Sequence, residues 1–245
     1  MQMKVRLLIA ILITASACTA PIAPASETAT GNVTAAQSPD QIVEDLLDGN
    51  RAFARGRKSR LPEIGPERRA ELVAGQAPKA IILSCSDSRV PPEHVFRQGL
   101  GDIFVSRVAG NVPLTGEIAS IEYAVEHLKV PVLLVLGHSS CGAVTAAVAQ
   151  SQAATELTPA LTALVNEIMP AVTEAERMLP AGSDLVDATI HVNARLAASS
   201  LLERSAVVRE AAEAGHLKVV VGIYDLASGL VALEDAAVES AAIHH

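Results

Sequence analysis

Four short, predominantly apolar runs lie between residues 80 and 225, each bounded by turn residues or by a helical pattern. Continuous apolar runs of this length are typical of strands buried on both faces, as in a parallel sheet covered by helices. The turn at 227–229 leads back into 230–234, which we expect to form an antiparallel strand at one edge of the sheet. The four predicted parallel strands are 80–84, 103–108, 130–137 and 217–225.

The segments between these strands carry apolar residues at helical spacing. We expect the longest helix to run from about 187 to 214 and to stop at Gly215, where glycine easily forms a left-handed cap. The helical pattern over 158–179 is interrupted at Pro170. A strand, a helix and a second strand form a right-handed parallel unit. Other predicted helices cover 66–73, 115–128 and 143–149.

An N-terminal helix begins after Ser38, with proline at its first helical position and an apolar face that includes Ile42 and Leu46. We expect Gly49 and Asn50 to loosen it. The predicted fold class is α/β: a mainly parallel four-stranded sheet with an added antiparallel edge strand, flanked by helices.

Polar side chains follow two of the predicted strands directly. Cys85, Asp87 and Arg89 come after the first strand, and His138 and Cys141 come after the third. In a parallel sheet the functional crevice lies beyond the carboxyl ends of the strands. We therefore expect two thiolates and one imidazole to meet there and to hold a zinc ion.

Three protein ligands leave one tetrahedral position for water, as catalytic zinc requires, whereas structural zinc usually has four protein ligands. Two thiolates cancel the formal charge of the ion and weaken its effect on the pKa of its water. Asp87 can accept a hydrogen bond from the attacking hydroxide, and Arg89 can keep that carboxylate ionised and oriented. Released from Arg89, the same carboxylate could bind the metal and close the site.

Other interpretations fit parts of this pattern. A strand followed by a polar turn with an ordinary Asp–Arg pair explains either half alone, and a disulfide between Cys85 and Cys141 is chemically permitted outside the cytoplasm. The disulfide leaves His138 unexplained. The segment 137–142 is similar to an esterase elbow, but Cys141 stands where that motif needs its last glycine; a cysteine hydrolase that uses Cys141 is a further alternative.

Residues 1–17 have the layout of a bacterial signal peptide, with a basic start, an apolar core and a small-residue end. Cys18 follows directly, so both lipidation after cleavage by signal peptidase II and ordinary release fit the sequence. Residues 18–37 are rich in Ala, Thr, Ser and Pro, which is typical of a flexible tether. We expect an exported, periplasmic protein that is either released or attached to the membrane only through a lipid on Cys18.

The chain has 245 residues and a formal net charge of −8, which becomes −10 when the two basic residues of the leader are removed. A negative protein is a poor partner for nucleic acid or an acidic membrane surface, and a small substrate is expected instead. Gly99 and Gly101 precede a strand, so they do not form a dinucleotide-binding fingerprint.

The paired motifs C-x-D-S-R at 85–89 and H-x-x-C at 138–141 resemble the zinc motifs of the β-class carbonic anhydrases. The resemblance covers about 38–234 and includes FVSRVAGN (104–111), IEYAVEHL (121–128) and YDLASG (224–229). It implies that 38–245 form one catalytic domain with the β-carbonic anhydrase fold. It also implies one zinc ion per chain, bound by Cys85, His138 and Cys141.

By the same resemblance, hydroxide on the zinc attacks carbon dioxide, which gives bicarbonate and a proton in a reversible reaction. Asp87 orients the hydroxide and Arg89 holds Asp87. Gln98 is the nearest match to a glutamine beside the substrate, and Gly110 is expected to line the pocket through its backbone. Related chemistry in the same fold is the hydrolysis of carbon disulfide or carbonyl sulfide, and a catalytically silent zinc-binding module is an alternative of another class.

The resemblance also implies subunit contacts. The N-terminal helix of the family embraces a second subunit, and residues 38–48 fit that helix, so we expect a homodimer or a tetramer of dimers. Some bacterial members have a regulatory bicarbonate pocket that uses a tryptophan. The chain contains no tryptophan, so we expect this pocket to be absent or altered.

Overall fold

The computed structural model describes residues 37–56, 64–153, 156–180 and 182–234. The predicted signal peptide, Cys18 and all of the predicted tether except residue 37 lie outside these ranges. No helix within the described ranges combines the length and the apolar character that crossing a membrane requires.

Five strands of the described part of the chain pair in one sheet at the centre of the fold. Four of them are parallel neighbours and the fifth pairs antiparallel with the last of these, so the predicted fold class is confirmed. The strands, in their order across the sheet, are β2 (Ile103–Arg107), β1 (Ala80–Ser84), β3 (Val132–His138), β4 (Lys218–Tyr224) and β5 (Val231–Leu233).

Helices cover both faces of the sheet. In the part of the chain that the structure describes, two short 3-10 helices, Leu72–Ala74 and Ala109–Asn111, supplement them. The α-helices within the described residues are α1 (Pro39–Ala54), α2 (Pro66–Glu71), α3 (Pro92–Val95), α4 (Thr115–Glu126), α5 (Gly142–Gln152), α6 (Pro159–Met178), α7 (Leu185–Arg204) and α8 (Ala206–Glu213).

Successive residues of β1 alternate between two apolar layers. Ile81 and Leu83 belong to the larger layer, which α4 to α8 cover, while Ala80 and Ile82 belong to the smaller layer beneath α1 and α3. Because both faces are covered, every residue of β1 is buried. This is the physical reason for the continuous apolar runs.

The long helix predicted over 187–214 is wrong, because α7 and α8 are separate helices that break at Ser205. The backbone of Ser205 is extended and its side chain is fully buried. Its hydroxyl accepts a hydrogen bond from the N–H of Val208 and donates one to Glu122 of α4 at 2.7 Å. A helix cap and a tertiary hydrogen bond at one hydroxyl therefore override the helical pattern.

The predicted interruption at Pro170 is also wrong, because α6 continues through it. A proline inside a helix removes one backbone hydrogen bond. In α6 the apolar face on both sides of the proline is buried, including Ile168 and Val172, and this packing holds the helix together.

Gly49 and Asn50 lie inside α1 instead of loosening it. The side chain of Asn50 is buried; its amide donates hydrogen bonds to the carbonyls of Val95 and Gly229, and its oxygen accepts one from the N–H of Val231. Asn50 therefore connects α1 to α3 and to the edge of the sheet.

The order of the strands places a crevice at one end of the sheet. The chain leaves β1 for β2 on one side and then crosses to β3 on the other side of β1. Such a reversal opens a crevice beyond the carboxyl ends of the two neighbouring strands. Ser84 pairs with Leu136 near this end, so the residues that follow β1 lie beside the end of β3.

Gly49 allows α1 to approach the chain after α3 closely, and replacing it tests this contact. A Cβ at Gly49 would lie 2.0 Å from the carbonyl oxygen of Phe96. We expect Gly49→Ala to destabilise the protein by about 1–3 kcal/mol, the usual cost of overpacking. The matched control is Gly116→Ala in α4, where an added Cβ meets nothing within 4 Å. That variant should keep or raise the urea midpoint, and an equal midpoint for both variants would refute the close contact.

Candidate metal centre

The three predicted ligands converge at the crevice. Cys85 directly follows β1, His138 is the last residue of β3, and Cys141 is the N-cap of α5. Their ligand atoms all lie within 4.8 Å of one another, and all three side chains are buried. Within the described ranges, this is the only group of three or more His, Cys, Asp or Glu side chains in such an arrangement.

The ring of His138 is held in the orientation that a metal ligand needs. Its Nδ1 lies 2.9 Å from the carbonyl oxygen of Ser139. Because a carbonyl can only accept, Nδ1 carries the proton and Nε2 presents a lone pair. Nε2 is buried and has no hydrogen-bond partner in the protein. A buried acceptor left without a partner is costly, and a metal ion at this atom would satisfy it.

The buried side chains of Cys85 and Cys141 influence each other's acidity. Interaction with Cys141 is the main reason why the pKa of Cys85 is lowered. Interaction with Cys85 is the main cause of a raised pKa at Cys141, and burial raises it further. Both residues are free thiols, which excludes the disulfide interpretation for this structure. Binding of a metal by both sulfurs must therefore displace a proton.

This donor set fits zinc. Two soft sulfur donors and one imidazole nitrogen are ligands that zinc prefers. A cysteine hydrolase would need one thiol beside a base, and it would leave the second buried thiol without a role. The orphaned Nε2 of His138 and the two converging sulfurs therefore favour a metal centre.

Asp87 is held by Arg89 through both of its carboxylate oxygens. The side chain of Arg89 donates to Oδ1 at 2.9 Å and to Oδ2 at 2.6 Å, and its backbone N–H also donates to Oδ1. The Arg89 guanidinium is the main reason why the pKa of Asp87 is held well below its usual range. Arg89 also donates to the carbonyl of Ser140 at 3.3 Å. It thereby links the segment after β1 to the turn after β3.

Arg107, at the end of β2, supports the same segment from the other side. Its guanidinium donates to the carbonyl of Cys85 at 2.9 Å and to that of Asp87 at 2.7 Å. No role of Arg107 was predicted from the sequence. Its position inside FVSRVAGN and its pairing with Ser84 across the sheet are consistent with this function, but neither identifies the carbonyls that it binds.

The turn after β3 is fixed by Asp225, which directly follows β4. The hydroxyl of Ser139 donates to Asp225 at 3.1 Å and accepts the N–H of Leu226 at 2.9 Å. Hydrogen bonds from the side chain and backbone of Ser228 are the main reason why the pKa of Asp225 is lowered to about 2. The YDLASG segment therefore supports the ligand turn directly.

Gly110 and Gln98 occupy different surroundings. The N–H of Gly110 donates to the sulfur of Cys85 at 3.3 Å, so this residue contacts the metal centre itself. Gln98 is buried next to α1, and its amide donates to the carbonyl of Phe96 at 2.7 Å. It lines a pocket of about 340 Å³ together with Phe53 and Leu100, while none of the three ligands lines that pocket.

Comparisons with known proteins agree with this geometry. Residues 80–231 match the sequence model of the carbonic anhydrase family. The chain is 40% identical over 198 residues to carbonic anhydrase 2 of Mycobacterium tuberculosis. The aligned residues cover 81% of this chain and 94% of that protein. It is 34% identical over 203 residues to a carbonic anhydrase of Pseudomonas aeruginosa, with 80% and 89% covered.

Solved structures show the same fold. One of two tetrameric β-carbonic anhydrases from the ascomycete Sordaria macrospora superimposes with a TM-score of 0.61 at 26% identity, covering 80% of this chain and 98% of that one. The β-carbonic anhydrase CcaA gives a TM-score of 0.60 at 26% identity, with 79% and 95% covered.

The fold and the site together define an α/β protein with a zinc-type centre at the switch point of a parallel sheet. Within that class, the chain belongs to the carbonic anhydrase family, and its structural neighbours are of the β class.

Removal of the metal should destabilise the fold, because it leaves the buried Nε2 of His138 without a partner and removes the ion that joins it to the two buried sulfurs. A ligand that binds only the native state stabilises it by about 4 kcal/mol at a free concentration one thousand times its Kd. We expect chelation to lower the melting temperature of the zinc-loaded protein. Zinc should restore it, whereas magnesium, which prefers oxygen ligands, should not. Identical melting curves with and without zinc would contradict the assignment.

Proposed function

We propose that this chain catalyses the reversible hydration of carbon dioxide to bicarbonate and a proton, with one zinc ion held by Cys85, His138 and Cys141. The observation that carries the proposal is the engagement of both Asp87 oxygens by Arg89. With Asp87 occupied in this way, three side chains converge as ligands, and three protein ligands characterise catalytic zinc. The 40% identity to a carbonic anhydrase of Mycobacterium tuberculosis supports the same reaction.

Zinc bound at this centre supplies hydroxide near neutral pH by lowering the pKa of water. The protein's own contribution is to orient the reacting groups. Asp87 stays ionised because Arg89 donates to both of its oxygens, so it acts only as a hydrogen-bond acceptor. It accepts a hydrogen bond from the hydroxyl group that adds to carbon dioxide, and a lone pair of that oxygen then points toward the carbon. Arg107 keeps Asp87 in place by holding the backbone on either side of Ser86.

The substrate contacts are assigned to Gly110 and Gln98. Gly110 lies at the metal centre, where its N–H donates to the sulfur of Cys85, and it is proposed to line the substrate site through its backbone. Gln98 lies in a separate pocket within its own chain, so the proposed role of Gln98 requires that it approach the substrate of a second subunit.

The assembly proposed is a homodimer or a tetramer of dimers. Tetrameric β-carbonic anhydrases from Sordaria macrospora share this fold. The apolar face of α1, including Ile42 and Leu46, packs on the sheet of its own chain. A contact between α1 and a second subunit must therefore use the remaining faces of the helix.

The enzyme is proposed to be a bacterial, exported protein that acts in the periplasm. The support is the sequence of residues 1–17 and the tether-like composition of 18–37. Cys18 provides the means of attachment to the membrane if the mature chain is lipidated; otherwise the protein is released.

Export can be tested in a Gram-negative host. We expect the periplasmic and membrane fractions to contain a protein that lacks about the first 17 residues, the length of the predicted signal peptide. N-terminal sequencing and intact mass give the cleavage site, and a lipid mass that disappears in Cys18→Ser identifies lipidation. Deletion of residues 2–17 is the control and should retain the protein in the cytoplasm. A full-length chain with Met1 in the cytoplasm would contradict export.

The catalytic role of Asp87 can be separated from metal binding. We expect Asp87→Ala to retain about one zinc per chain and to lose about 100-fold or more in kcat/KM for carbon dioxide hydration, the cost of a misoriented reacting group. Stopped-flow hydration from about pH 6 to 9, the range in which water on zinc ionises, together with metal analysis, gives both quantities.

The matched control for Asp87→Ala is Glu174→Ala. Glu174 accepts the same two-point hydrogen bonding from Arg177, at 2.9 and 2.6 Å, on the exposed surface of α6. Replacement of Glu174 by alanine should leave kcat/KM for carbon dioxide hydration unchanged.

A zinc-loaded protein that does not exceed the buffer rate at any pH would be the silent zinc-binding module. Faster turnover of carbon disulfide or carbonyl sulfide than of carbon dioxide would contradict the proposed reaction and would indicate hydrolysis of these compounds instead.

A further inference from the structure

Asn193 is a polar residue in the middle of α7, and only 3% of it is exposed. It binds Gly110, which lies 83 positions earlier in the chain. Its side-chain amide donates a hydrogen bond of 2.8 Å to the carbonyl oxygen of Gly110. Buried amides are costly to leave unpaired, so this bond constrains the position of the Gly110 carbonyl.

Gly110 contacts the metal centre from its other side. Its N–H donates to the sulfur of Cys85 at 3.3 Å. One residue therefore receives a hydrogen bond from α7 through its carbonyl and gives one to a zinc ligand through its N–H. Asn193 and Cys85 are connected through the backbone of a single glycine.

The conformation of this turn makes the outside support necessary. Gly110 and Asn111 both have positive φ angles, of 73° and 47°, inside a short 3-10 segment. A left-handed conformation costs free energy for Asn111 and persists when the surroundings impose it. A Cβ on Gly110 would lie 2.8 Å from Ile168 of α6, so no side chain of its own can anchor this residue.

We propose that Asn193 is a positioning residue for the zinc ligand Cys85: it holds Gly110 so that the N–H of Gly110 points at the sulfur. A hydrogen bond to a ligand sulfur fixes the ligand and reduces its negative charge. Partners of metal ligands of this kind typically contribute 10–100-fold to metal affinity. The inference rests on the proposed zinc function of Cys85, His138 and Cys141.

Two substitutions remove the donor in different ways. Asn193→Leu keeps a similar volume without polar atoms, and Asn193→Asp keeps the shape but places an acceptor against the Gly110 carbonyl. The matched control is Thr189→Val, one turn earlier in α7. Thr189 is also fully buried, and its hydroxyl bonds to the carbonyl of Leu185 within the same helix.

The first measurement is the zinc dissociation constant, by competition with a chelator on the full purified protein. Both Asn193 variants should bind zinc about 10–100-fold more weakly, and Thr189→Val should bind it as the unaltered protein does. The second is the sulfur-to-metal charge-transfer band of the cobalt-substituted protein. It should move to longer wavelength in the Asn193 variants, because a sulfur without its hydrogen bond gives up electron density more easily.

Melting curves of the metal-free proteins separate positioning from a purely structural role. Lower stability with unchanged zinc affinity and an unchanged cobalt band would overturn the proposal, as would an equal loss of affinity in Thr189→Val. Failure of both Asn193 variants to fold would also count against it. If the unaltered protein itself binds no zinc, the proposed function fails, and that result is distinct from any difference among the variants.

Discussion

The parallel pairing of β1 with β3 is the constraint on which the metal centre depends. Cys85 directly follows β1 and His138 ends β3, and neither strand alone leads to more than part of the ligand set. Because Ser84 lies opposite Leu136, Cys85 emerges beside the end of β3, where His138 and Cys141 lie. A shift in this register would separate the ligands along the strand direction by about 3.3 Å for each residue of displacement.

The backbone around the centre is held mainly by long-range side-chain bonds. Arg107 binds the carbonyls of Cys85 and Asp87 from the neighbouring strand β2, and Asp225 fixes the turn after His138 from β4. Two strands, β1 and β3, thus lead to the ligands, and two others, β2 and β4, lead to the side chains that hold the segments around them. An arginine that binds two carbonyls uses its planar set of donors, which a lysine cannot reproduce. The result is a rigid frame around the three ligand side chains. Without a metal, the buried Nε2 of His138 among them has no hydrogen-bond partner.

Several features of the fold were predictable because they depend on local pattern. The strand positions follow from continuous apolar runs, and apolar spacing predicts a helix over 158–179, but only the burial of residues on both sides of Pro170 explains why α6 is not interrupted there. The break at Ser205 was not predictable in the same way. A serine in a helical pattern is ordinary, and only the position of Glu122 on another helix explains why this one turns its hydroxyl inward. Likewise, Asn50 appears in the sequence as a weak point of α1, but three tertiary hydrogen bonds make it a connection.

The identities of the expected metal ligands, the carboxylate beside them and its arginine were determined by the sequence itself, because these residues stand at short, regular spacing after two recognisable strands. Tertiary structure decided what surrounds them: the effect of the two buried cysteines on each other's pKa, the clamp of Arg107, and the path from Asn193 through Gly110 to the sulfur of Cys85. Such contacts join side chains to backbone atoms that are distant in the chain. No periodicity or spacing encodes them, because they exist only when packing brings the segments together.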